Sequence, residues 1–183
     1  MNSIRDAISK IDWETYQLNV LKTLKLAIFR FNTEYLHSND KKVYQIAIWT
    51  DPQAFTTCIS FETKSHAADN IKRSAKYWRS RNDINTAEAI EELGYCTNPA
   101  DFEFRQYECF DHSELNSVVG VAYEQQSQRH LIETYLETNL VAVLQQILDE
   151  GVLKSLHAES EVIIGVNSPS DWYDHIHIIQ FSI

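Results

Sequence analysis

Two histidines near the end of the sequence have the type and spacing that most suggest chemistry. His175 and His177 stand two apart in the segment SDWYDHIHIIQF, where Asp171 and Asp174 precede them. Residues two apart in a β-strand point to the same face, so the two imidazoles could share a metal ion. A metal site needs three or four ligands, and the third histidine of the histidine-triad hydrolases is missing. We therefore expect a strand with a polar face, and keep a metal-assisted hydrolase using His175 and His177 as the alternative.

A basic cluster is the second candidate, formed by Lys72, Arg73, Lys76, Arg79 and Arg81. Lys72, Lys76 and Arg79 would share one helix face, as a helix that contacts phosphate groups requires. The chain as a whole has a net charge of −10, which opposes binding to nucleic acid. We therefore expect a solvated helix face, or one that pairs internally with the acidic half of the chain, and no nucleic-acid partner.

Charge is divided unevenly along the chain. Residues 1–82 contain 13 Lys/Arg and 8 Asp/Glu, a net charge of +5, whereas residues 83–183 contain 3 and 18, a net charge of −15. An acidic surface of this kind attracts basic proteins and speeds their association. We predict a partner-binding surface formed by the densest acidic positions, namely Glu88, Glu91, Glu92, Asp101, Glu103, Asp111 and Glu114. No companion motif accompanies these carboxylates, so we assign no catalytic residue and expect no enzymatic activity.

Composition indicates one ordered domain over residues 1–183, with 44% hydrophobic and 23% charged residues. The N-terminal segment MNSIRDAISK lacks the apolar core of a secretory signal, and no apolar run is long enough to cross a membrane. Three cysteines without metal-site spacing, Cys58, Cys96 and Cys109, favour reduced packing thiols and a cytoplasmic location. No nucleotide-binding, hydrolase or EF-hand motif occurs, so we expect no cofactor and no membrane partner.

The elements that would position these residues can be predicted from periodicity. Apolar residues at steps of three or four predict a long amphipathic helix from Trp13 to Tyr35. Two alternating runs around the turn TDPQ, in VYQIAIWTDPQAFTTCISFET, predict a β-hairpin with Pro52 in its turn. Helices follow at residues 66–81 and from Thr86 to Leu93, where Gly94 suits the C-terminal cap.

The second half of the chain is predicted to contain three further strands and two helices. FEFRQYECF at residues 102–110 indicates a strand, and Asp111 with Glu114 is typical of a capping box that starts a helix through Ala122. A firm apolar stripe from Ile132 to Ile147 predicts the last helix, and Gly151 lies just past its end. EVIIGV and HIHIIQF complete the sheet. The fold class is therefore α+β, a single domain whose mainly antiparallel sheet is flanked by amphipathic helices.

The hairpin segment YQIAIWTDPQAFTTCISFET, preceded by a long amphipathic helix, resembles an uncharacterised family of bacterial domains of about this length. Many members of that family are encoded beside polymorphic or contact-dependent toxins. The resemblance implies an immunity-type protein that binds and neutralises a cognate toxin, and it transfers no catalytic residue. An acidic protein can block a basic nuclease by imitating the charge of its substrate, which agrees with the acidic half of this chain. An acidic structural or adaptor domain without catalysis is the third hypothesis.

Overall fold

A computed structural model of the chain describes residues 4–51, 56–112, 129–167 and 173–181. Its helices, numbered here in chain order, are α1 (Ile4–Ile8), α2 (Trp13–Tyr35), α3 (Lys64–Ser80), α4 (Ile84–Leu93) and α5 (Arg129–Glu150). Its strands are β1 (Val43–Asp51), β2 (Thr56–Thr63), β3 (Phe104–Asp111), β4 (Ala158–Val166) and β5 (Asp174–Gln180).

The five strands form one sheet in the order β3-β2-β1-β4-β5. Strands β1 and β2 are antiparallel, as are β2 with β3 and β4 with β5, whereas β1 and β4 run parallel. The α+β class and the mainly antiparallel sheet are therefore confirmed. After α5 the chain returns to the side of β1 that β2 does not occupy, and β4 pairs there with β1 in parallel. Two parallel strands need a long connection between them, which the elements from β2 to α5 provide.

Alternating side chains divide the sheet between two layers of helices. Ile46 and Ile48 of β1 belong to the main core, which α2 and α5 cover, whereas Ala47 and Trp49 belong to a smaller core under α3, against which α4 packs from outside. This alternation is what a strand buried on both faces requires. The pattern is interrupted between Val43 and Gln45, where the register shifts against both neighbouring strands.

The helix boundaries follow from side-chain caps. Asp12 accepts a hydrogen bond from the backbone N–H of Thr15 at 3.0 Å and starts α2 at Trp13, as predicted. Asp83 does the same for Thr86, so α4 begins at Ile84 and not at Thr86. Gly94 takes the left-handed conformation predicted for the end of this helix, with φ of 73°.

The remaining predictions are confirmed with small shifts. Helix α3 begins at Lys64, two residues before its predicted start, because Thr63 caps it. Strand β3 begins at Phe104 because a short 3-10 turn, Pro99–Asp101, precedes it. Helix α5 ends at Glu150 with Gly151 at φ 61°, as predicted. The Pro52 turn and the helix predicted after Asp111 lie outside the described residues.

The prediction of three reduced thiols is wrong. Cys58 and Cys109 form a disulfide between β2 and β3, and Cys96 alone remains a free, buried cysteine. The sequence favoured reduced thiols because no spacing rule links cysteines that are 51 residues apart. The disulfide removes the cysteine argument for a cytoplasmic location, since disulfides persist mainly in oxidising compartments. The cytoplasmic location stays a prediction.

Candidate protein-binding surface

The predicted acidic residues lie in three places on the molecule. Glu88, Glu91 and Glu92 are exposed on α4, and Asp101 lies next to this helix, where it lines a small pocket with Ile90 and Leu93 of α4. Glu103 directly precedes β3. Asp111 ends that strand and pairs with Thr56, roughly 25 Å from Glu103 at the usual rise per strand residue. Glu114 lies outside the described part of the chain. The partner-binding role predicted for these seven residues stays a prediction, and they do not form one continuous face.

Two of these carboxylates form ion pairs with the basic half of the chain. Glu91 receives a two-pronged hydrogen bond from Arg79, at 2.8 and 2.5 Å. Glu103 binds the Lys41 ammonium and also accepts a hydrogen bond from the Thr63 hydroxyl. These charge-assisted hydrogen bonds fix both carboxylates against side chains of the same chain. Glu91 and Glu103 are therefore paired with basic residues of the same chain.

The electrostatics of these pairs agree with their geometry. The hydrogen bond from Arg79 lowers the pKa of Glu91. Burial opposes ionisation of Glu103, but the contacts with Lys41 and Thr63 outweigh it and lower the pKa of that carboxyl. Both groups are consequently charged at neutral pH and paired with cations. Two further ion pairs join the basic and the acidic half of the chain on the other face of the sheet, Arg30 with Glu108 and Lys25 with Glu150.

The β5 end of the sheet is rich in acidic residues and poor in lysine and arginine. Residues 130–167 and 173–181 contain seven Asp/Glu and one Lys, and neither β4 nor β5 contains any Lys or Arg. Strand β5 lies at the edge of the sheet formed by the described strands. Glu137 of α5 reaches β5 from one face, and Glu161 of β4 accepts a hydrogen bond from Gln180 of β5 at 2.6 Å. We call these two residues with β5 the acidic edge.

Sequence reasoning missed this edge because its carboxylates are distant in the chain. No motif or local spacing in the sequence distinguishes Glu137, Glu161 or Asp174 as a site residue. The pairing of β4 with β5 and the packing of α5 bring these three residues together. The signal that could have found them is the lack of basic residues after Lys154.

The two histidines of the opening motif lie on this edge. The Nε2 atom of His175 lies 2.5 Å from Oε1 of Glu137, and His175 has a left-handed backbone, with φ of 46°. His177 is exposed and pairs with Ile164 of β4. Asp171 lies outside the described residues. Within the part of the chain that the structure describes, no group of three or more His, Cys, Asp or Glu could hold a metal ion.

The basic cluster of α3 is used largely within the chain. Lys72 approaches Asp69 at 3.8 Å, and Arg79 is held by Glu91. Arg81 lies over the Tyr77 ring, 4.6 Å from its centroid. A helix whose cations already contact carboxylates and a ring has the solvated, internally paired face that we expected for this cluster.

A buried carboxylate forms a polar network that the sequence did not indicate. Glu62 is fully buried at the end of β2 and accepts hydrogen bonds from the backbone N–H groups of Thr63 and Glu103, at 2.9 and 3.1 Å. The Nδ1 atom of His66 lies 2.9 Å from the same oxygen, and Asn70 ties the network to the Asp101 carbonyl. Burial raises the pKa of Glu62, although the His66 contact opposes that rise. The network fastens the start of α3 to the chain before β3.

Cys96 borders this network but is not suited to nucleophilic chemistry. Its side chain is buried, and burial raises the pKa of the thiol to about 12. A nucleophilic cysteine needs an accessible thiolate near neutral pH, which these surroundings disfavour. The backbone of Cys96 instead serves packing, because its N–H and C=O bind the side chain of Gln45 at 3.0 Å each.

Comparison of the chain with models of protein families, with curated proteins and with solved structures finds no match. Across the described residues, none of the helices combines the length and apolar character needed to span a membrane.

Proposed function

We propose that this chain is an immunity-type protein that binds a basic toxin domain, such as a nuclease, and neutralises it by occlusion. The observation that supports the proposal most strongly is the acidic edge, where carboxylates from α5 and β4 flank an edge strand without basic residues. The resemblance of residues 43–63 to domains encoded beside toxins points in the same direction.

The backbone of β5 gives this surface a specific way to bind. An edge strand presents unpaired N–H and C=O groups, to which an extended segment of another protein can add as a further strand. Most of β5 is solvent-exposed, and Ile178 is 62% exposed on it. We therefore place the contact at β5, with backbone hydrogen bonds supplying affinity and Ile178 an apolar anchor.

Charge would select the partner and speed its arrival. Glu137 and Glu161 flank β5 from neighbouring elements, so a strand carrying Lys or Arg would find carboxylates beside the same backbone ladder. Electrostatic complementarity of this kind raises association rates and is weakened by salt. A toxin whose phosphate-binding cleft is basic would be covered by the bound protein, and no cofactor is needed for that effect.

A pull-down from the source cells tests the proposal. The tagged chain is used as bait at low and at high salt, and retained proteins are identified by mass. We expect a basic protein that is retained at low salt and released at high salt, and whose toxicity in a host cell is suppressed when this chain is co-expressed. Retention of no basic protein, or of one whose toxicity is unaffected by the chain, would contradict the proposal.

A further inference from the structure

The disulfide between Cys58 and Cys109 is exposed to solvent on one side only. Cys58 belongs to the smaller core under α3 and is fully buried, whereas Cys109 is exposed on the edge strand β3. Glu108 and Phe110, on either side of Cys109 in the chain, both contact α2. The Cys109 side chain therefore lies on the opposite face of the sheet, at its edge, where solvent reaches it.

This difference in exposure determines which sulfur an external thiol can attack. In thiol–disulfide exchange a thiolate attacks one sulfur in line with the S–S bond, from the side opposite to the sulfur that leaves. For Cys109 this approach comes from solvent beyond the sheet edge. For Cys58 it would come through the smaller core beneath α3. Exchange is consequently confined to Cys109.

Strand β3 is held in place by contacts that do not involve the disulfide. The Tyr107 hydroxyl donates a hydrogen bond to Glu34 of α2 at 3.1 Å, and Glu108 forms an ion pair with the same helix. At the end of the strand, the Thr56 hydroxyl donates to the Asp111 carboxylate at 2.6 Å. Together with the ladder between β2 and β3, these contacts keep the two cysteines opposite each other when the disulfide is open.

Aromatic packing holds the same strand against the main core. Phe104 and Tyr107 both meet the fully buried ring of Phe31 edge to face, with centroids 5.2 and 5.9 Å apart. Such pairs stabilise a contact beyond the area that they bury. Reduction of the disulfide therefore leaves β3 docked, and the bond can form again without refolding of the sheet.

The third cysteine is not a competing nucleophile. Cys96 is buried, and burial raises the pKa of its thiol to about 12. The thiolate is the form that attacks a disulfide, so Cys96 does not open the bond from within the chain. The attacking thiol has to come from solvent.

We propose that Cys109 is an exchange site for low-molecular-weight thiols such as glutathione, and that Cys58 is its resolving cysteine. The inference goes beyond the proposed function and does not depend on it, because β3 and the acidic edge lie at opposite ends of the sheet.

The exchange proceeds in two steps. In the first, the thiolate of the small thiol bonds to Sγ of Cys109, the S–S bond breaks, and its electron pair leaves on Sγ of Cys58, which takes a proton from water. In the second, another small thiolate attacks the small thiol's own sulfur in the mixed disulfide, and Cys109 leaves as a thiolate that is protonated in turn. The protein disulfide gains two electrons, and the two small thiols are oxidised to their disulfide. Closure of the bond is the reverse reaction.

Pulsed alkylation of the reduced, folded chain tests which cysteine exchanges. The full chain is reduced with dithiothreitol under native conditions, treated briefly with iodoacetamide and mapped by peptide mass spectrometry. Cys109 should be alkylated at least about tenfold faster than Cys58 and Cys96, because it alone is exposed. Equal rates for Cys58 and Cys109 would overturn the inference.

Two matched variants test the roles of the two sulfurs. Folded Cys58→Ala, incubated with oxidised glutathione, should acquire one glutathione at Cys109 and keep it, because no resolving cysteine remains. Folded Cys109→Ala should acquire none until urea exposes Cys58. Equal modification of both variants, or an unmodified folded Cys58→Ala, would overturn the inference. Pulsed alkylation needs no substitution, so it decides the question if circular dichroism shows that either variant is unfolded.

Hydrogen exchange tests whether the bond opens without loss of the fold. The amides of β3 that bond to β2 should stay protected in both the oxidised and the reduced chain, and a glutathione redox buffer should interconvert the two forms reversibly. Loss of this protection on reduction, or failure of the reduced chain to close the bond again, would contradict Cys58 as the resolving cysteine. Loss of toxin binding, by contrast, would bear only on the proposed function.

Discussion

Cys58 and Cys109 lie opposite each other on the neighbouring strands β2 and β3, with their Cα atoms 4.2 Å apart, and are joined by a disulfide. Cys58 is fully buried in the smaller core under α3, whereas Cys109 is exposed on the edge strand. The disulfide therefore fastens one edge of the sheet to its interior, at the end of the sheet opposite to the acidic edge.

Thiol titration checks this bond directly. Because Cys96 alone is free, the unfolded protein without reductant should show one reactive thiol per chain, and reduction should reveal the other two. Three reactive thiols before reduction would contradict the disulfide.

Reduction should also destabilise the fold. The disulfide links residues 51 positions apart, and the loss of a constraint of that length on the unfolded chain corresponds to about 4 kcal/mol. Urea unfolding with and without a dithiol reductant measures the change. Cys96→Ala serves as the control, since it removes the free thiol and should leave the effect of the reductant unchanged. Equal stability in the presence and absence of reductant would be inconsistent with the disulfide as a stabilising element.

Gly165 should be intolerant of any side chain. A Cβ atom at this position would lie 2.7 Å from Cε2 of Tyr173 and 2.9 Å from the Asp174 carbonyl, at the point where β4 meets the start of β5. We expect Gly165→Ala to lower the free energy of unfolding by about 2 kcal/mol, as overpacking does. Thermal and urea unfolding measure it, with Ser160→Ala at an exposed position of the same strand as the control. If the two variants were equally stable, the close packing of Tyr173 on β4 would be disproved.

The buried Glu62 carboxyl should make stability depend on pH. Its pKa in the folded protein is raised above the ordinary value of 4.5, first by burial. The folded state therefore binds the proton more tightly than the unfolded state, and this contribution is present below about pH 4.5 and is lost as the pH rises through the folded pKa. Glu62→Gln imitates the protonated carboxyl. Because the glutamine amide does not titrate, the contribution of this position to stability does not change with pH in that variant.

Urea unfolding of both proteins from about pH 4 to about pH 7 measures this dependence. The free energy of unfolding of the unchanged chain should fall relative to that of Glu62→Gln as the pH rises. A difference that stays constant, or that changes in the opposite direction, would show that the pKa of Glu62 is not raised.

Local patterns in the sequence predicted the individual helices and strands but not how these elements pack against one another. The spacing of Tyr16, Val20 and Leu24 predicted α2 because a single helix face determines it, and the alternation in β1 and β2 predicted the hairpin in the same way. Which cysteines meet depends on the register of β2 with β3, which no local pattern specifies.

The candidate surface shows the same division between local and long-range information. The acidic half of the chain follows directly from its residue counts, but the choice of residues between Glu88 and Glu114 followed charge density along the chain. Pairing of Arg79 with Glu91 and of Lys41 with Glu103 depends on tertiary contacts, and so does the approach of Glu137 to β5. Charge density along the chain therefore did not indicate which carboxylates are paired with lysine or arginine.

The most direct test of the central claim compares binding by two charge-reversed variants. The basic protein captured by the unchanged chain is titrated calorimetrically against Glu137→Lys/Glu161→Lys, at the acidic edge, and against Glu88→Lys/Glu92→Lys, on α4, which changes the net charge equally. We predict that the first variant binds at least about tenfold more weakly and loses most of its salt dependence, whereas the second retains its affinity. Equal affinities for both variants, or a greater loss from the α4 variant, would contradict binding at the acidic edge.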